Sequence, residues 1–562
     1  MNQLSGAEAL VHMLQGHGVD YIFGLCGDTS LPFYDALYRL NHGMTHILSR
    51  DERSAAYMAD GYARVSGKVG VCEGPSGGGA TYIAPGLVEA NESAIPILAI
   101  TSDISVAARG RYALTELDQS ALFRPLTKWN GVIERAEDVP KMLRAAFRQM
   151  TTGRPGSAHL ALPFDVQKGA VDAADIWCDP DLGRHPAWPT GPDPAAVPRL
   201  ARVLLAARNP VIVCGGGVVL AGAEAELGRL AERLAIPVAT TISGKGSISE
   251  DHPLAVGVVG SNGGVVETRR FMEQADLLLL IGCRAGSVTT ERWRYPVPGR
   301  CHVAHIDSDP GVIGANYPTE AAMVGDARLA LAALNAEIGT PAPPQRDLNA
   351  AAVARAKAAK FAAFKQLAES DERPIRPERL VAALSELLAD DAVLIADPGT
   401  PCPYLSAYYP VKRTGRQFFS NRAHGALGYS LPAAVGAYYG RPGAKIVAVM
   451  GDGSFGFNAG ELETVARLGL PITFVVVSNG VFGWIKAGQK SGFDGRYFSV
   501  DFSTTDHARV AEAFGLRAWR VEDPGELKGK LAAALNCPGP SLIDVICQPL
   551  QDAHAPVSEW IA

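Results

Sequence analysis

Short, uninterrupted apolar runs recur along this chain between stretches with helical periodicity, and they constrain its fold more than any other feature. Examples are HLALPF, PVIVCGGGV, ADLLLLIGC, AVLIAD, KIVAVMGD and PITFVVVSN. A run of this kind is typical of a strand buried on both faces, as in a parallel sheet covered by helices on each side. The pattern therefore predicts an α/β fold with doubly wound parallel sheets.

Two proline-rich joints divide the chain, whose 562 residues exceed the capacity of one hydrophobic core. The joints are DLGRHPAWPTGPDPAAVP, from Asp181 to Pro198, and GTPAPPQRD, from Gly339 to Asp347. We predict three α/β domains, which span residues 1–180, 190–340 and 371–562.

Charge and composition limit the partners of the protein. A net charge of −6 and a pI of about 6.1 give no electrostatic reason to expect nucleic acid. The sequence contains no apolar run of membrane-spanning length, and its first residues lack the apolar core of a signal peptide. Nine cysteines without a CxxC pair are typical of reduced thiols. We expect a cytoplasmic protein that binds neither nucleic acid nor membrane.

The stretch VMGDGSFGFNAGELETVARLGLPITFVVVSNG predicts a strand, a turn, a helix and a second strand. Because such a unit returns the chain parallel, Asp452 and Asn479 should lie at the same edge of the sheet. A carboxylate and an amide oxygen are ligands that Mg²⁺ accepts together with water and phosphate oxygens. Gly453 and Ser454 offer an N–H group and a hydroxyl to the same phosphates. The alternative is an ordinary turn, in which the aspartate caps a helix.

This spacing resembles the GDG-to-Asn motif of thiamine diphosphate (ThDP) enzymes, with Ser478 in place of the first of two asparagines. The resemblance implies ThDP and Mg²⁺ as cofactors. It also implies that Asp452, Asn479 and the carbonyl of Val481 are the metal ligands.

The segment ILSRDERSAAYMADGYARVSG resembles the part of these enzymes where a glutamate protonates the aminopyrimidine of the cofactor. The aligned residue is Glu52, and its neighbour Asp51 lies where many relatives have histidine. A carboxyl group in apolar surroundings has a raised pKa and can donate a hydrogen bond near neutrality. The alternative is that Glu52 is one of the acidic residues favoured in the first turn of a helix.

Two further segments resemble cofactor-binding parts of the family. In NRAHGALGYSLPAAVGA, Leu427 lies where a bulky apolar side chain supports the bent cofactor, and Gly425 lies in the same loop. ADPGTP resembles a loop on the diphosphate side, which implicates Gly399 and Thr400. The resemblance covers essentially the whole chain. It implies a pyrimidine-binding, a middle and a pyrophosphate-binding domain, and a homodimer or homotetramer with active sites between chains.

Three candidate catalytic residues come from segments where the subfamily resemblances differ. FGLCGDTSLPFYDAL resembles acetolactate synthase at LPFYDAL but pyruvate decarboxylase at its Gly-Asp pair, which makes Asp28 a candidate acid/base or the start of an Asx turn. Thr115 replaces a glutamine of the synthase near the reacting carbon. Glu73 lies where benzoylformate decarboxylase has a substrate-facing histidine, and the alternative is a solvated charge at the end of a strand.

The middle domain gives a mixed indication for FAD, which acetolactate synthases bind there. The chain keeps Arg284, but it lacks the two aspartates of the synthase's RFDDR and has Asn262 in place of a histidine. FAD stays an open alternative that these residues do not favour.

The resemblance implies an acetolactate synthase-like lyase or transferase that acts on a small 2-oxo acid or 2-hydroxy ketone and carries out carboligation. An acyl-CoA lyase of the oxalyl-CoA decarboxylase kind and a simple 2-oxo acid decarboxylase are the enzymatic alternatives. A non-catalytic nucleotide-binding protein would be expected to lack Glu52 or Asp452, and a dinucleotide-dependent dehydrogenase would need a GxGxxG fingerprint with its acidic partner, which is absent.

Overall fold

The structure, a computed structural model, describes residues 3–340 and 345–560 of the chain. The second proline-rich joint therefore lies partly outside the described residues, as do the outermost residues of the first and third predicted domains. Within the described ranges, no helix is long and apolar enough to cross a membrane.

The first sheet has six parallel strands in the order β3-β2-β4-β5-β7-β6, and β1 and β8 form a separate antiparallel pair. The strands of this segment are β1 (Gln3–Ser5), β2 (Tyr21–Gly24), β3 (Thr45–Leu48), β4 (Gly70–Gly74), β5 (Ile97–Asp103), β6 (Trp129–Val132), β7 (Ala158–Pro163) and β8 (Ala170–Asp172). Its helices are α1 (Gly6–Gly16), α2 (Leu31–Arg39), α3 (Glu52–Ser66), α4 (Gly78–Glu92), α5 (Gln119–Phe123), α6 (Val139–Thr151) and α7 (Phe164–Lys168).

The second sheet also has six parallel strands, in the order β11-β10-β9-β12-β13-β14. They are β9 (Pro210–Cys214), β10 (Val238–Thr240), β11 (Ala255–Val258), β12 (Leu277–Ile281), β13 (His302–Asp307) and β14 (Ala321–Val324). The helices are α8 (Ala196–Ala206), α9 (Gly216–Leu220), α10 (Glu224–Leu234), α11 (Val266–Gln274), α12 (Ser287–Thr290) and α13 (Ala327–Ile338), followed by the long helix α14 (Ala350–Ala368).

The third sheet has six parallel strands in the order β16-β15-β17-β18-β20-β19. They are β15 (Val393–Ala396), β16 (Phe418–Ser420), β17 (Ile446–Gly451), β18 (Thr473–Ser478), β19 (Arg517–Val521) and β20 (Ser541–Ile546). The helices are α15 (Pro377–Leu387), α16 (Pro401–Tyr408), α17 (Ser430–Gly440), α18 (Asp452–Asn458), α19 (Leu462–Arg467), α20 (Gly483–Gly492), α21 (His507–Ala513) and α22 (Pro524–Leu535).

The six apolar runs that predicted buried strands all form strands of these parallel sheets, as β7, β9, β12, β15, β17 and β18. Nearly every residue in them is buried, because helices cover both faces of each sheet. The α/β fold class with three doubly wound parallel sheets is confirmed.

The helix predicted after the first strand of the GDG stretch begins earlier than expected. Helix α18 begins at Asp452 itself, a 3₁₀ turn follows at Ala459–Glu461, and α19 then continues to Arg467. The interruption lies at Asn458, whose backbone is not helical (φ −137°, ψ 22°) and whose side-chain amide donates to the Ser54 hydroxyl.

The described chain forms two compact units, which do not follow the three predicted segments. The first unit comprises the residues up to Trp188 together with Asn421–Gly443 and Asn458–Leu470. The second comprises Pro189–Ser420, Ala444–Phe457 and the residues from Pro471 onward. Parts of the third segment therefore pack with the first sheet, which sequence periodicity does not reveal.

Helix α3, which begins at Glu52, packs closely against α17 inside the first unit. A Cβ atom at Gly436 would lie 1.8 Å from the carbonyl oxygen of Met58. Only glycine permits this backbone approach, and the approach fixes the position of α3.

Candidate active site

Asp452 lies at the carboxyl end of β17, and backbone N–H groups hold its carboxylate. Its Oδ2 accepts hydrogen bonds from the N–H groups of Asn479 and Gly480, both at 2.7 Å, and its Oδ1 accepts one from Gly453 at 2.8 Å. β17 and β18 are parallel neighbours, with Gly451 opposite Val477. The prediction that Asp452 and Asn479 emerge at one sheet edge is therefore confirmed.

The surroundings of Asp452 suit a cation. Burial raises the pKa of its carboxyl, and the three N–H groups act in the opposite direction. A buried carboxylate is costly unless hydrogen bonds or an opposite charge compensate it, and a divalent ion is one group that can supply such a charge. The described residues contain no cluster of three or more His, Cys, Asp or Glu side chains for a metal, but one carboxylate, one amide oxygen and one carbonyl is a different donor set, which fits Mg²⁺.

The other predicted ligands of this edge lie beside Asp452. The Asn479 amide nitrogen donates to the Thr400 hydroxyl at 3.4 Å, which leaves the amide oxygen as the acceptor available to an ion. Gly399 has a left-handed backbone (φ +95°), and Val481 forms an isolated bridge with Asp501. The loops that carry Gly399 and Val481 both lie at this end of the sheet.

Ser454 differs from its expected role. Its hydroxyl, predicted to face phosphate, donates instead to the carboxylate of Asp397 and lies in a buried position. This hydrogen bond holds the loop after β15 to α18, and sequence spacing could not distinguish it from a ligand contact. The neighbouring Gly453 packs under the Phe482 ring, since a Cβ atom there would lie 2.8 Å from the ring carbon Cε1.

Glu52 is the first residue of α3, but it does not cap the helix. Asp51 caps the helix, because its Oδ1 accepts the N–H groups of Arg53 at 2.7 Å and Ser54 at 3.4 Å. The Glu52 side chain is only 6% exposed. It packs over Gly74 and Gly79, where a Cβ atom would lie 3.1 Å from its Cγ and 3.0 Å from its Oε1 respectively.

Burial is the main influence on Glu52 and raises the pKa of its carboxyl. The neighbouring carboxylates of Asp51 and Glu73 raise this pKa further, and a backbone N–H lowers it. A raised pKa favours the protonated form of the carboxyl, which is the form a general acid needs.

The loop with Gly425 and Leu427 belongs to the same unit as Glu52 and is fixed by two hydrogen bonds. The Asn421 side-chain amide donates to the Ala426 carbonyl at 2.6 Å, and the His424 N–H donates to the buried carboxylate of Glu89 at 2.8 Å. Gly425 has φ +76°, and Leu427 is half-buried.

Glu73 is not the solvated strand-end charge that was one expectation for it. It is 1% exposed at the end of β4, where Tyr34 donates a hydrogen bond to its Oε1 and the His46 Nε2 lies 3.4 Å from the same atom. Burial raises the pKa of Glu73, and the contacts with His46 and Tyr34 oppose this. Gly24 on the adjacent strand leaves room for the carboxyl group, since a Cβ atom there would lie 2.1 Å from Oε1.

We expect Glu73→Gln to stabilise the protein at neutral pH. Because the pKa of Glu73 is raised above its ordinary 4.5 in the folded state, folding binds a proton and stability falls as pH rises above that value. Glutamine removes this loss, so the variant should gain stability at pH 7 and none at pH 4. Thermal midpoints over this pH range measure the effect, with the exposed Glu134→Gln as control. A pH-independent difference would contradict the buried position.

Asp28 and Thr115 lie in polar surroundings of the first unit. Asp28 is exposed at the start of a 3₁₀ turn, and its Oδ1 accepts the N–H of Thr29 at 2.8 Å, which is not an Asx turn. Thr115 has φ +69°, which is rare for a β-branched residue and marks a functional candidate. Its hydroxyl lies 2.7 Å from that of Ser76. A Cβ atom at Gly77 would lie 2.7 Å from the Cβ atom of Thr115.

Sequence reasoning missed the residues that support these candidates. Tyr34 and His46 surround Glu73, and Thr29 Oγ1 lies 3.1 Å from the Ser76 hydroxyl and 3.0 Å from that of Ser102. The carboxyl of Glu461, whose pKa burial raises to about 7, accepts the N–H of Arg50 just before Glu52. No local motif points to these contacts, because each joins residues that are distant in sequence.

Comparison with protein families gives three successive matches along the chain. Residues 4–122 match the description "Thiamine pyrophosphate enzyme, N-terminal TPP binding domain". Residues 197–334 match "Thiamine pyrophosphate enzyme, central domain", and residues 397–545 match "Thiamine pyrophosphate enzyme, C-terminal TPP binding domain".

Curated relatives are similar over nearly the whole chain. A probable acetolactate synthase large subunit of Methanocaldococcus jannaschii is 35% identical, over 98% of this chain and 93% of its own. An acetolactate synthase of Arthrospira platensis is 32% identical, over 97% and 94%. The acetolactate synthase isozyme 3 large subunit of Escherichia coli is 32% identical, over 95% and 93%.

Proposed function

The chain belongs to the thiamine pyrophosphate enzyme family, and on this premise we propose that it decarboxylates a 2-oxo acid, or cleaves a 2-hydroxy ketone, and joins the remaining fragment to a second carbonyl compound. The observation that carries the proposal is the buried Glu52 carboxyl, which leaves helix capping to Asp51. The names of the acetolactate synthase relatives support carboligation over simple decarboxylation.

In this proposal, two sets of residues hold the cofactor. Asp452, Asn479 and the Val481 carbonyl would bind Mg²⁺, which would offset the negative charge of the diphosphate. The backbone of Gly399, Thr400, Gly453 and Ser454 would hold the diphosphate. Leu427, with Gly425 in its loop, would support the cofactor rings. The hydrogen bonds from Asn479 and Gly480 to Asp452 support this assignment, because they orient the carboxylate before the ion binds.

Bound ThDP supplies a nucleophilic carbon and an electron sink for the carbonyl substrate. Glu52 holds a proton at its carboxyl and exchanges it with the pyrimidine ring. The raised pKa supports this role, because burial favours the protonated form of the carboxyl. Its packing over Gly74 and Gly79 limits the carboxyl to few orientations.

Asp28, Thr115 and Glu73 are the proposed catalytic residues on the substrate side. Asp28 is exposed and can transfer a proton to or from the substrate. Thr115 offers a hydroxyl, and its backbone packs against Gly77. Glu73 offers a carboxyl group that accepts a hydrogen bond from Tyr34. The strained backbone of Thr115 supports a role in the site, since such strain persists where function requires it.

A substrate panel with purified protein tests this function. We expect CO₂ release from at least one 2-oxo acid, or cleavage of at least one 2-hydroxy ketone, together with a carboligated product by mass spectrometry, only with ThDP and Mg²⁺ present. The panel includes 2-hydroxy ketones and a range of aldehyde and ketone acceptors. Release of CO₂ with an aldehyde as the only product would contradict carboligation. Absence of any turnover by the cofactor-bound protein would contradict the enzymatic function itself.

We propose that the middle domain does not hold FAD. The absence of the two synthase aspartates and the Asn262 substitution support this. Purified protein should therefore show no stoichiometric flavin absorbance near 450 nm. A flavin content close to one per chain after denaturation would contradict the proposal.

We propose a cytoplasmic homodimer or homotetramer. Large apolar side chains of the first unit are unusually exposed, with Tyr112 at 100%, Tyr38 at 91% and Leu114 at 86%. Association with a second chain would bury apolar side chains this exposed, which supports the assembly. All nine cysteines are free, as expected in a reducing compartment. Light scattering that gives a monomer mass at micromolar concentration would contradict the assembly.

A further inference from the structure

Ser478, the residue that replaces the first family asparagine, takes part in a buried network at the carboxyl end of β18. Its hydroxyl donates to Oδ1 of Asp544 on the neighbouring strand β20, and its Oγ lies 3.0 Å from Nδ1 of His507. Because the single hydroxyl proton goes to Asp544, Nδ1 of His507 carries the proton in the second bond and donates to Ser478. The three residues are 5%, 0% and 6% exposed respectively.

Asp544 is the centre of this network, and it accepts more than the serine. Its Oδ2 accepts the backbone N–H of His507 at 3.1 Å and Nη1 of Arg520 at 3.0 Å. β18, β20, β19 and the start of α21 are thereby joined through one fully buried carboxylate. A network whose members are all satisfied is rigid and specifies one arrangement.

The network is continuous with the ion-binding edge in two places. Ser478 directly precedes Asn479 and Gly480, whose N–H groups both donate to Oδ2 of Asp452 at 2.7 Å. The His507 ring packs edge-on against Phe455, with ring centroids 5.2 Å apart. Phe455 belongs to α18, which begins at Asp452. The network therefore contacts both chain segments that carry the proposed Mg²⁺ ligands.

We propose that Ser478, His507 and Asp544 are positioning residues, which hold the end of β18 against α18 in the arrangement that binds Mg²⁺ and the diphosphate. The inference rests on the proposed function, because it assigns these side chains to that site. Supporting contacts around metal ligands contribute about 10- to 100-fold in metal affinity. In the motif that the family carries, an asparagine stands at the position of Ser478. In this chain the serine, the histidine and the aspartate together hold the segment that follows this position.

The three residue types also occur in hydrolytic triads, but their connections here differ. A nucleophilic serine gives its proton to histidine, and the aspartate orients the other ring nitrogen. Here Ser478 gives its proton to the aspartate directly, and Nδ1 is the ring nitrogen that faces the serine. The arrangement holds a strand end and does not activate a nucleophile.

Calorimetry of ThDP binding at saturating Mg²⁺, and of Mg²⁺ binding at saturating ThDP, tests the proposal without reference to activity. We expect Ser478→Ala and His507→Phe to weaken both by about 10- to 100-fold. His507→Phe keeps an aromatic ring beside Phe455 and removes the hydrogen bond. His507→Asn can keep a donor to Ser478 and should bind within about threefold of the wild type, as should Ser478→Thr.

Thr473→Val is the matched control, since it removes a buried hydroxyl bond between the same two strands at their opposite ends. Thr473 Oγ1 lies 3.0 Å from the Ser541 hydroxyl, and both residues are fully buried. The control should lower the thermal midpoint and leave both affinities unchanged. Equal weakening by Thr473→Val, or unchanged affinities in folded Ser478→Ala and His507→Phe, would overturn the inference while leaving the proposed function intact. A wild type that binds no ThDP with Mg²⁺ would overturn the proposed function and the inference with it.

Discussion

Glu52→Gln is expected to lower kcat by at least about a hundredfold while ThDP binding survives. Glutamine keeps the size of the side chain and part of its hydrogen bonding, but it cannot exchange a proton with the pyrimidine ring. General acid–base groups typically contribute about 10²- to 10⁴-fold in rate. In the proposal, Mg²⁺ and the diphosphate are held by residues of the second unit, so the affinity for ThDP should change little.

Glu8→Gln is the control for this prediction, because Glu8 is also a first-turn glutamate of a helix in the same unit. Its carboxylate forms a capping box with Ser5, and the Ser5 N–H, as the main influence, lowers its pKa. The two glutamates therefore both lie in the first turn of a helix and differ in electrostatics, since burial raises the pKa of Glu52. Equal, small effects of both substitutions on kcat would mean that Glu52 only favours the start of α3.

Asp452→Ala is expected to abolish Mg²⁺-dependent ThDP binding and leave the sheet folded. The change removes the carboxylate that we propose binds the ion. It also leaves the N–H groups of Asn479, Gly480 and Gly453 without their acceptor, so the loop that presents Asn479 loses its anchor. Calorimetry with ThDP and Mg²⁺ measures the loss, and circular dichroism monitors the fold.

Asp523→Ala serves as the matched control in the same unit. Asp523 caps α22 by accepting the Gly525 N–H at 2.9 Å, which is the alternative role considered for Asp452. Removal of a cap costs about 1 kcal/mol of stability and should not affect cofactor affinity. ThDP affinity that is unchanged in folded Asp452→Ala would count against the metal assignment.

Patterns within one segment of the sequence predicted the fold class and the sheet edge of the candidate site. The runs that became β17 and β18 are apolar at nearly every position, so burial on both faces followed directly from periodicity. The parallel pairing of these strands then placed Asp452 and Asn479 together. These inferences needed only contacts between neighbouring elements, which right-handed crossover connections largely determine.

Contacts between distant segments could not be predicted in the same way. Nothing near Glu73 indicates that Tyr34, from another element, donates to it, so the expectation of a solvated charge was wrong. The Ser454 hydroxyl was assigned to phosphate because no local pattern reveals its bond to Asp397. The grouping of Asn421–Gly443 with the first sheet depends likewise on the close approach of α17 to α3, which only the folded chain shows.

Exchange of the thiazolium C2 proton of bound ThDP with deuterated solvent is the most direct test of the account, because it reports the proton transfer that Glu52 is proposed to support. Wild type and Glu52→Gln, each saturated with ThDP and Mg²⁺, would be mixed with D₂O, quenched rapidly in acid and analysed by proton NMR. We predict fast exchange in the wild type and exchange slowed at least about a hundredfold in the variant. Exchange at the same rate in both proteins would contradict the proposed role of Glu52 and the mechanism built on it.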